Sequence, residues 1–177
     1  MHLRKIGKPK AGEYPSYSES YMELVADDDD ILEHLRQNFF AIKELIYNLP
    51  EEKLYYRYAE GKWTIKEILV HLIDDERIFA YRALCYARND KTALPGFEQD
   101  DYTLYSGANE RSLASIFEEY EAVRTATICL FNSLPEDAFM RRGVLTGNTN
   151  ERTVRALVYH IAGHELQHIK VIKERYL

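Results

Sequence analysis

Apolar residues recur at three- and four-residue spacing in four long stretches of the chain, the pattern of helices that each bury one face. Leu32, Leu35, Phe39, Ile42, Ile46 and Leu49 mark the first, which Pro50 ends. The acid run Asp27 to Asp30 ahead of it complements the positive end of a helix dipole, and it lacks the alternating spacing and glycine of a calcium loop. Thr64 with Glu67 three residues on matches a capping box, and Ile65, Ile68, Leu69, Leu72, Phe79, Ala83 and Tyr86 trace a second helix to about Arg88. A third carries Leu113, Ile116, Phe117, Tyr120, Val123, Leu130, Phe131 and Leu134 and stops before Pro135; a fourth runs from about Thr153 to Arg175. Between the second and third, Asn89 to Asn109 contains Leu94-Pro95-Gly96-Phe97 and reads as a crossover of roughly 20 residues rather than a tight turn. The expected fold is all-α, a four-helix bundle with a long crossover between helices 2 and 3 and no competing strand alternation. One domain is expected over 1–177, with residues 1–27, broken by glycines and prolines but rich in tyrosine, packing across it.

The two halves look like copies. Leu49-Pro50-Glu51-Glu52 closes the first helix and Leu134-Pro135-Glu136-Asp137 the third, and Thr64 to His71 lies over Thr153 to His160, which predicts two helix pairs related by a pseudo-twofold axis. The 177 residues carry 23 Lys+Arg against 29 Asp+Glu, a formal charge of −6, so the basic footprint of a nucleic-acid binder is missing. No apolar run has the length of a membrane span, and the first ten residues do not read as a signal peptide. Cys85 and Cys129 sit unpaired in apolar helical patterns, as small hydrophobes do, so a reducing, cytoplasmic setting is expected. Gly-rich phosphate loops, Gly-x-Ser-x-Gly elbows and paired-cysteine motifs are all missing. Tyr55, Tyr56 and Tyr58 before Trp63 read as a cover for one end of the bundle.

The fourth helix holds the chemistry. His160, His164 and His168 follow at four-residue steps, and side chains so spaced stand about 6 Å apart on one face, close enough for two imidazoles to share an ion. Leu157, Ile161 and Ile172 define the buried stripe; His164 and His168 straddle its centre, and His160 lies further round. Neutral imidazoles facing a core on adjacent turns are hard to satisfy without a metal, a carboxylate or water. A further ligand must come from a facing helix, where His71 lies at the edge of its stripe and Asp75 nearer the centre; spacing does not choose between them, and Asp75 can be ligand, base or orienter. His34 and His2 read as surface residues, Glu76 and Glu165 as parts of solvated helix faces, and Arg82, which shares the His71 and Asp75 stripe and can meet an anionic substrate, as one half of a surface pair.

Three segments together carry a family resemblance: Lys62-Trp63-Thr64-Ile65-Lys66-Glu67-Ile68-Leu69-Val70-His71-Leu72-Ile73-Asp74-Asp75-Glu76, Leu94 to Tyr102, and Gly163-His164-Glu165-Leu166-Gln167-His168. With the tryptophan before the helix, the first histidine and the terminal His-x-x-x-His in the same order, the chain resembles the DinB/YfiT-like superfamily over nearly its whole length. That resemblance implies a four-helix bundle with a long crossover, commonly a homodimer, and one divalent metal ion held by three histidines, which by motif are His71, His164 and His168. Many relatives have a second histidine just before the last, where this chain has Gln167; His160 remains a rival ligand. Zinc or nickel is the first expectation for the ion, and iron and manganese also accept imidazole. Characterised relatives include thiol-dependent S-transferases and a maleylpyruvate isomerase, so the resemblance implies a metal-dependent enzyme of the thiol S-transferase or hydrolase type acting on a small molecule. The alternatives are a non-catalytic metal-binding bundle and a structural homodimer whose histidines are core residues.

Overall fold

The computed structural model describes residues 2–177. After a 3-10 turn at Ser16–Ser18 come α1 (Glu19–Glu23), α2 (Ile31–Tyr47), α3 (Glu51–Leu54), α4 (Ile65–Ala87), α5 (Gln99–Leu104), α6 (Leu113–Ser133) and α7 (Val154–Arg175). The four long helices are those the apolar spacing predicts. Thr64 caps α4 in a full capping box, accepting from the Glu67 amide while the Glu67 carboxylate accepts from the Thr64 amide at 2.7 Å. At the equivalent place in the second half, Thr153 caps α7 by accepting from the Ala156 amide. Pro50 opens α3 and Pro135 opens a 3-10 turn at Glu136–Met140, so both prolines play the same part after the first helix of each half.

Helix α4 packs against α6 and α7, and α2 packs against the same two, so α2 and α4 stand across one diagonal of the bundle and α6 and α7 across the other. Each half supplies one diagonal pair. The crossover contains a short helix, α5, whose six residues are too few to display a helical period. A two-residue antiparallel ribbon, β1 (Arg142–Gly143) and β2 (Arg152–Thr153), closes the loop before α7, and Leu94 of the crossover bonds to Val144 and Thr146 beside it. Ahead of the bundle helices, Ile6 is buried, its carbonyl accepts from the Tyr159 hydroxyl at 2.7 Å, and α1 lies on α7. Tyr56 and Tyr58 stand edge-on to Tyr176 at one end of the bundle.

All four long helices meet at Arg124. Its guanidinium, buried in α6, donates to Glu76 of α4 at 3.0 Å, to Glu165 of α7 at 3.0 Å and to the Leu35 carbonyl of α2, while Tyr120 donates to Glu165 at 2.5 Å. Glu76 and Glu165 are each 1% exposed, which corrects their assignment to solvated faces. The offset that lays Thr64 on Thr153 also lays Glu76 on Glu165, so the repeat presents two equivalent carboxylates to one arginine. Burial pushes the Glu76 carboxyl up against the pull of Arg124; burial opposes the charge of Arg124, but Glu165 and Glu76 outweigh it and hold the guanidinium protonated. Breaking such a buried group by removing one member leaves an uncompensated charge in the core.

Candidate metal centre

Helices α4 and α7, neighbours across the pseudo-twofold, bring His71, His164 and His168 together. The Nε2 atoms of His71 and His168 lie 3.2 Å and 3.1 Å from Nε2 of His164, and the three donors all fall within 4.8 Å of one another. His71 and His164 are buried and His168 is half-buried. On the far side of the His164 ring, Nδ1 stands 3.3 Å from a carboxylate oxygen of Asp75, which assigns the proton to Nδ1 and leaves a lone pair on Nε2. One lone pair cannot serve two neighbouring imidazoles as hydrogen-bond donors with good geometry. A divalent cation between the three nitrogens satisfies all of them at once, so the donor set fits a metal.

The electrostatics point the same way. Burial, reinforced by His164, pushes the His71 imidazole down to about 4, and the same two causes hold His168 well below the ordinary histidine range. Both rings are therefore neutral at physiological pH, the state in which imidazole binds metal. Burial alone would raise the Asp75 carboxyl, but His164 and His160 draw it well below the usual carboxylate range, so it stays ionised behind the histidines.

The structure also groups Asp75, His160 and His164, whose donor atoms meet the same distance limit. His164 as a neutral ring has one lone pair to give, so the two groups compete for it. His160 is buried rather than turned aside as its helical position suggests, because the first half of α7 is enclosed on every side. Its ring stacks on Phe79 at 3.8 Å, and its Nε2 lies 3.6 Å from Asp75. The site thus has a carboxylate at its hub, with His164 on one side and His160 on the other.

Two walls enclose the histidines. Trp63 stacks on His168 and packs against His71, while Tyr21 of α1 stands edge-on to His160 and His164 at 5.2 Å and 5.5 Å. Tyr21 can come so close because α7 carries glycine at 163: a Cβ there would stand 2.2 Å from the Tyr21 carbonyl oxygen. Cavities of about 260 Å³ and 350 Å³ open onto the centre, the first beside His160 and His164, the second beside Trp63 and His168, with Gln99 at the start of α5 bordering both.

Several side chains fall elsewhere than the sequence reading places them. Arg82 is 3% exposed, with its guanidinium over the Phe79 ring, and so forms no surface pair. Cys129 is exposed and Cys85 half-buried, both as free thiols. His34, by contrast, lies at the surface beside Asp28, where its helical position predicts it. The residues the sequence reading missed are Gly163, Arg124 and Arg152. A glycine inside a helix costs about 1 kcal/mol relative to alanine, which signals a close approach. Arg124 falls in step with Tyr120, Thr127 and Phe131 on the buried stripe of α6, so a charge on that stripe was its signal. Nothing in the sequence marks Arg152.

The DinB superfamily pattern matches residues 31–172 of this chain. A protein of Oceanobacillus iheyensis, provisionally named a metal-dependent hydrolase, is 30% identical over 149 residues, which cover 82% of this chain and 84% of that one. Among solved structures, YfiT of Bacillus subtilis, a four-helix bundle of unusual topology also assigned provisionally to metal-dependent hydrolases, superposes with a TM-score of 0.77. That match covers 96% of this chain and 92% of YfiT at 16% identity, and so bears on the fold alone.

Proposed function

This chain belongs to the DinB superfamily, and from that membership and the geometry of its histidines we propose that it is a metal-dependent hydrolase of small molecules. The observation that carries the reading is the convergence of three imidazole nitrogens from two facing helices, backed by a buried carboxylate. His71, His164 and His168 would hold one divalent ion, and zinc and nickel are among those that imidazole suits. Such an ion, when bound, supplies an electrophile for a carbonyl or phosphoryl oxygen and lowers the pKa of a coordinated water.

The chain's own residues perform the rest. Asp75 stands ionised against Nδ1 of His164 and so aims the ring's Nε2 at His71 and His168; removing such an outer carboxylate typically weakens metal binding about 10- to 100-fold. Trp63 and Tyr21 shield the imidazoles from bulk water on either side, and Gln99 offers an amide at the junction of the two cavities. A thiol S-transferase differs in its nucleophile, a thiol in place of water. Neither cavity is lined by a cysteine, so that thiol would come from a second substrate.

The test is turnover of a panel of chromogenic esters and amides by metal-loaded protein, by chelated protein and by the His168→Ala variant, each with and without a low-molecular-weight thiol. Hydrolysis that needs the metal and His168 but no thiol supports the proposal. Turnover that appears only with the thiol moves the assignment to transfer, and turnover indifferent to chelation and to His168→Ala overturns it.

A further inference from the structure

Beyond the histidines, two buried arginines stand without an anionic partner. Arg82 of α4 and Arg152 of β2 are each 3% exposed, and neither is paired with a carboxylate among the described residues. The nearby acids are engaged elsewhere: Asp75 by His160 and His164, and Glu13 by Arg155 and Thr153. Arg152 donates through Nη2 to the Tyr17 hydroxyl, but its Nε and Nη1 are buried with no protein partner. Arg82 has a single protein acceptor, the Pro95 carbonyl at 3.1 Å. The buried Tyr86 hydroxyl is also without a partner.

Backbone register gathers these groups. Gly143 of β1 pairs with Arg152 of β2, and a Cβ at Gly143 would overlap the Tyr86 ring, so Tyr86 lies against the ribbon where Arg152 enters. Tyr86 is one turn along α4 from Arg82. The arginines sense each other: burial, and after it the charge of Arg152, pushes the Arg82 pKa down. Arg152 also lies just ahead of the N-terminus of α7, where a helix already presents positive potential. Two guanidiniums, an orphan hydroxyl and a helix start in one buried region leave a positive charge that no carboxylate among the described residues pairs with, and buried charges of this kind are stable only when paired.

We propose that Arg82, Arg152 and the Tyr86 hydroxyl form an anion pocket that takes the carboxylate or phosphate group of the substrate. Planar guanidiniums bind either oxyanion through paired N–H donors. The pocket adjoins the metal centre: Arg82 lies over the Phe79 ring, which stacks on His160, which stands beside Asp75. Arg82 is seven residues, on the order of 10 Å, along α4 from Asp75. It also borders a cavity of about 250 Å³ with Pro95 and Phe97, and Phe97 lines the cleft beside His160 as well, so one ring separates the two spaces. The inference rests on the hydrolase reading for its account of the substrate: a small molecule with an anionic end on the arginines and its reactive bond near the histidines.

The experiment is thermal unfolding with inorganic phosphate or acetate against chloride at constant ionic strength, on metal-loaded and on chelated protein, for wild type, Arg152→Met and Arg82→Met. At tenfold excess over Kd, one of the two anions raises the wild-type Tm by roughly 3–6 °C in both metal states, and the better of the two identifies the group. Both variants lose the rise; circular dichroism confirms that they fold, and methionine keeps the apolar stem while removing an unpaired charge. No rise with either anion overturns the pocket, as does an equal rise in the variants. A rise confined to metal-loaded protein places the anion on the metal and also overturns it. A rise retained in chelated protein with no hydrolytic turnover would sink the hydrolase assignment while leaving the anion pocket standing.

Discussion

Replacing Gly163 by alanine sets two physical effects of opposite sign against each other. Helix propensity alone favours alanine by about 1 kcal/mol inside a helix. The new Cβ, however, would stand 2.2 Å from the Tyr21 carbonyl oxygen and 2.7 Å from its carbon, both backbone atoms of α1, where ordinary contact begins near 3.4 Å. α1 must therefore retreat by about 1 Å. Detaching it altogether would expose Met22 and Val25, now 2% and 3% exposed, at about 1.5–3 kcal/mol each, so a strained shift costs less than release. Overpacking of this kind costs about 1–3 kcal/mol, and after the propensity gain the variant is expected to lose about 1 kcal/mol, or roughly 2–4 °C in Tm. Urea and thermal unfolding followed by circular dichroism read the sign. Hydrogen exchange at the Leu24 amide, which bonds to the Tyr21 carbonyl, reads the location. A variant as stable as wild type, or more stable, would refute the view that Gly163 exists to admit α1 and bring Tyr21 to the histidines.

Other outcomes follow from the buried charges. Arg124→Met leaves Glu76 and Glu165 facing each other in the core and is expected to cost about 3–5 kcal/mol at neutral pH. Burial already pushes Glu76 up, and without the pull of Arg124 its folded pKa stands further above its unfolded one, so part of the loss returns as pH falls toward 4; a loss independent of pH would show that Glu76 is not ionised there. In chelated protein, burial and His164 hold His71 at about 4, below the ordinary 6.5, so the unfolded chain takes up its proton first. The resulting stability is fully present above 6.5 and is lost as pH falls toward 4, a contribution of about 3 kcal/mol from His71, with His160 and His168 acting in the same direction. Urea unfolding of wild type and His71→Phe between pH 7.5 and pH 4 measures it; identical pH profiles would contradict the assignment.

The four long helices were legible because each buries a stripe, and a stripe leaves a period in the sequence. Thr64 and Thr153 were legible as equivalent starts because a cap imposes a local residue choice. The short helix α5 and the β1–β2 ribbon were not, since elements of six and two residues leave no period. At the site, helical spacing could bring His164 and His168 together but could not choose between His71 and Asp75; the geometry gives each its own place, one beside Nε2 of His164 and the other beside Nδ1. Glu76 and Glu165 were misread because acidic residues are mostly solvated. A charge on the buried stripe of α6 marked Arg124, but that it pairs with these two acids from other helices only tertiary packing reveals. Arg152 was invisible because its burial depends on a ribbon that folds over Tyr86, a long-range contact with no local signature.

A single divalent ion held by His71, His164 and His168, with Asp75 behind them, makes the metal content of the protein depend on particular histidines. Elemental mass spectrometry of untagged protein purified without chelator tests it most directly, on wild type and on the His71→Ala, His164→Ala and His160→Ala variants. Wild type is expected to carry close to one equivalent, retained in His160→Ala and lost in the other two. Wild type that carries no metal and binds none on titration would contradict it. So would metal lost in His160→Ala but kept in His71→Ala, which would move the ion to Asp75, His160 and His164.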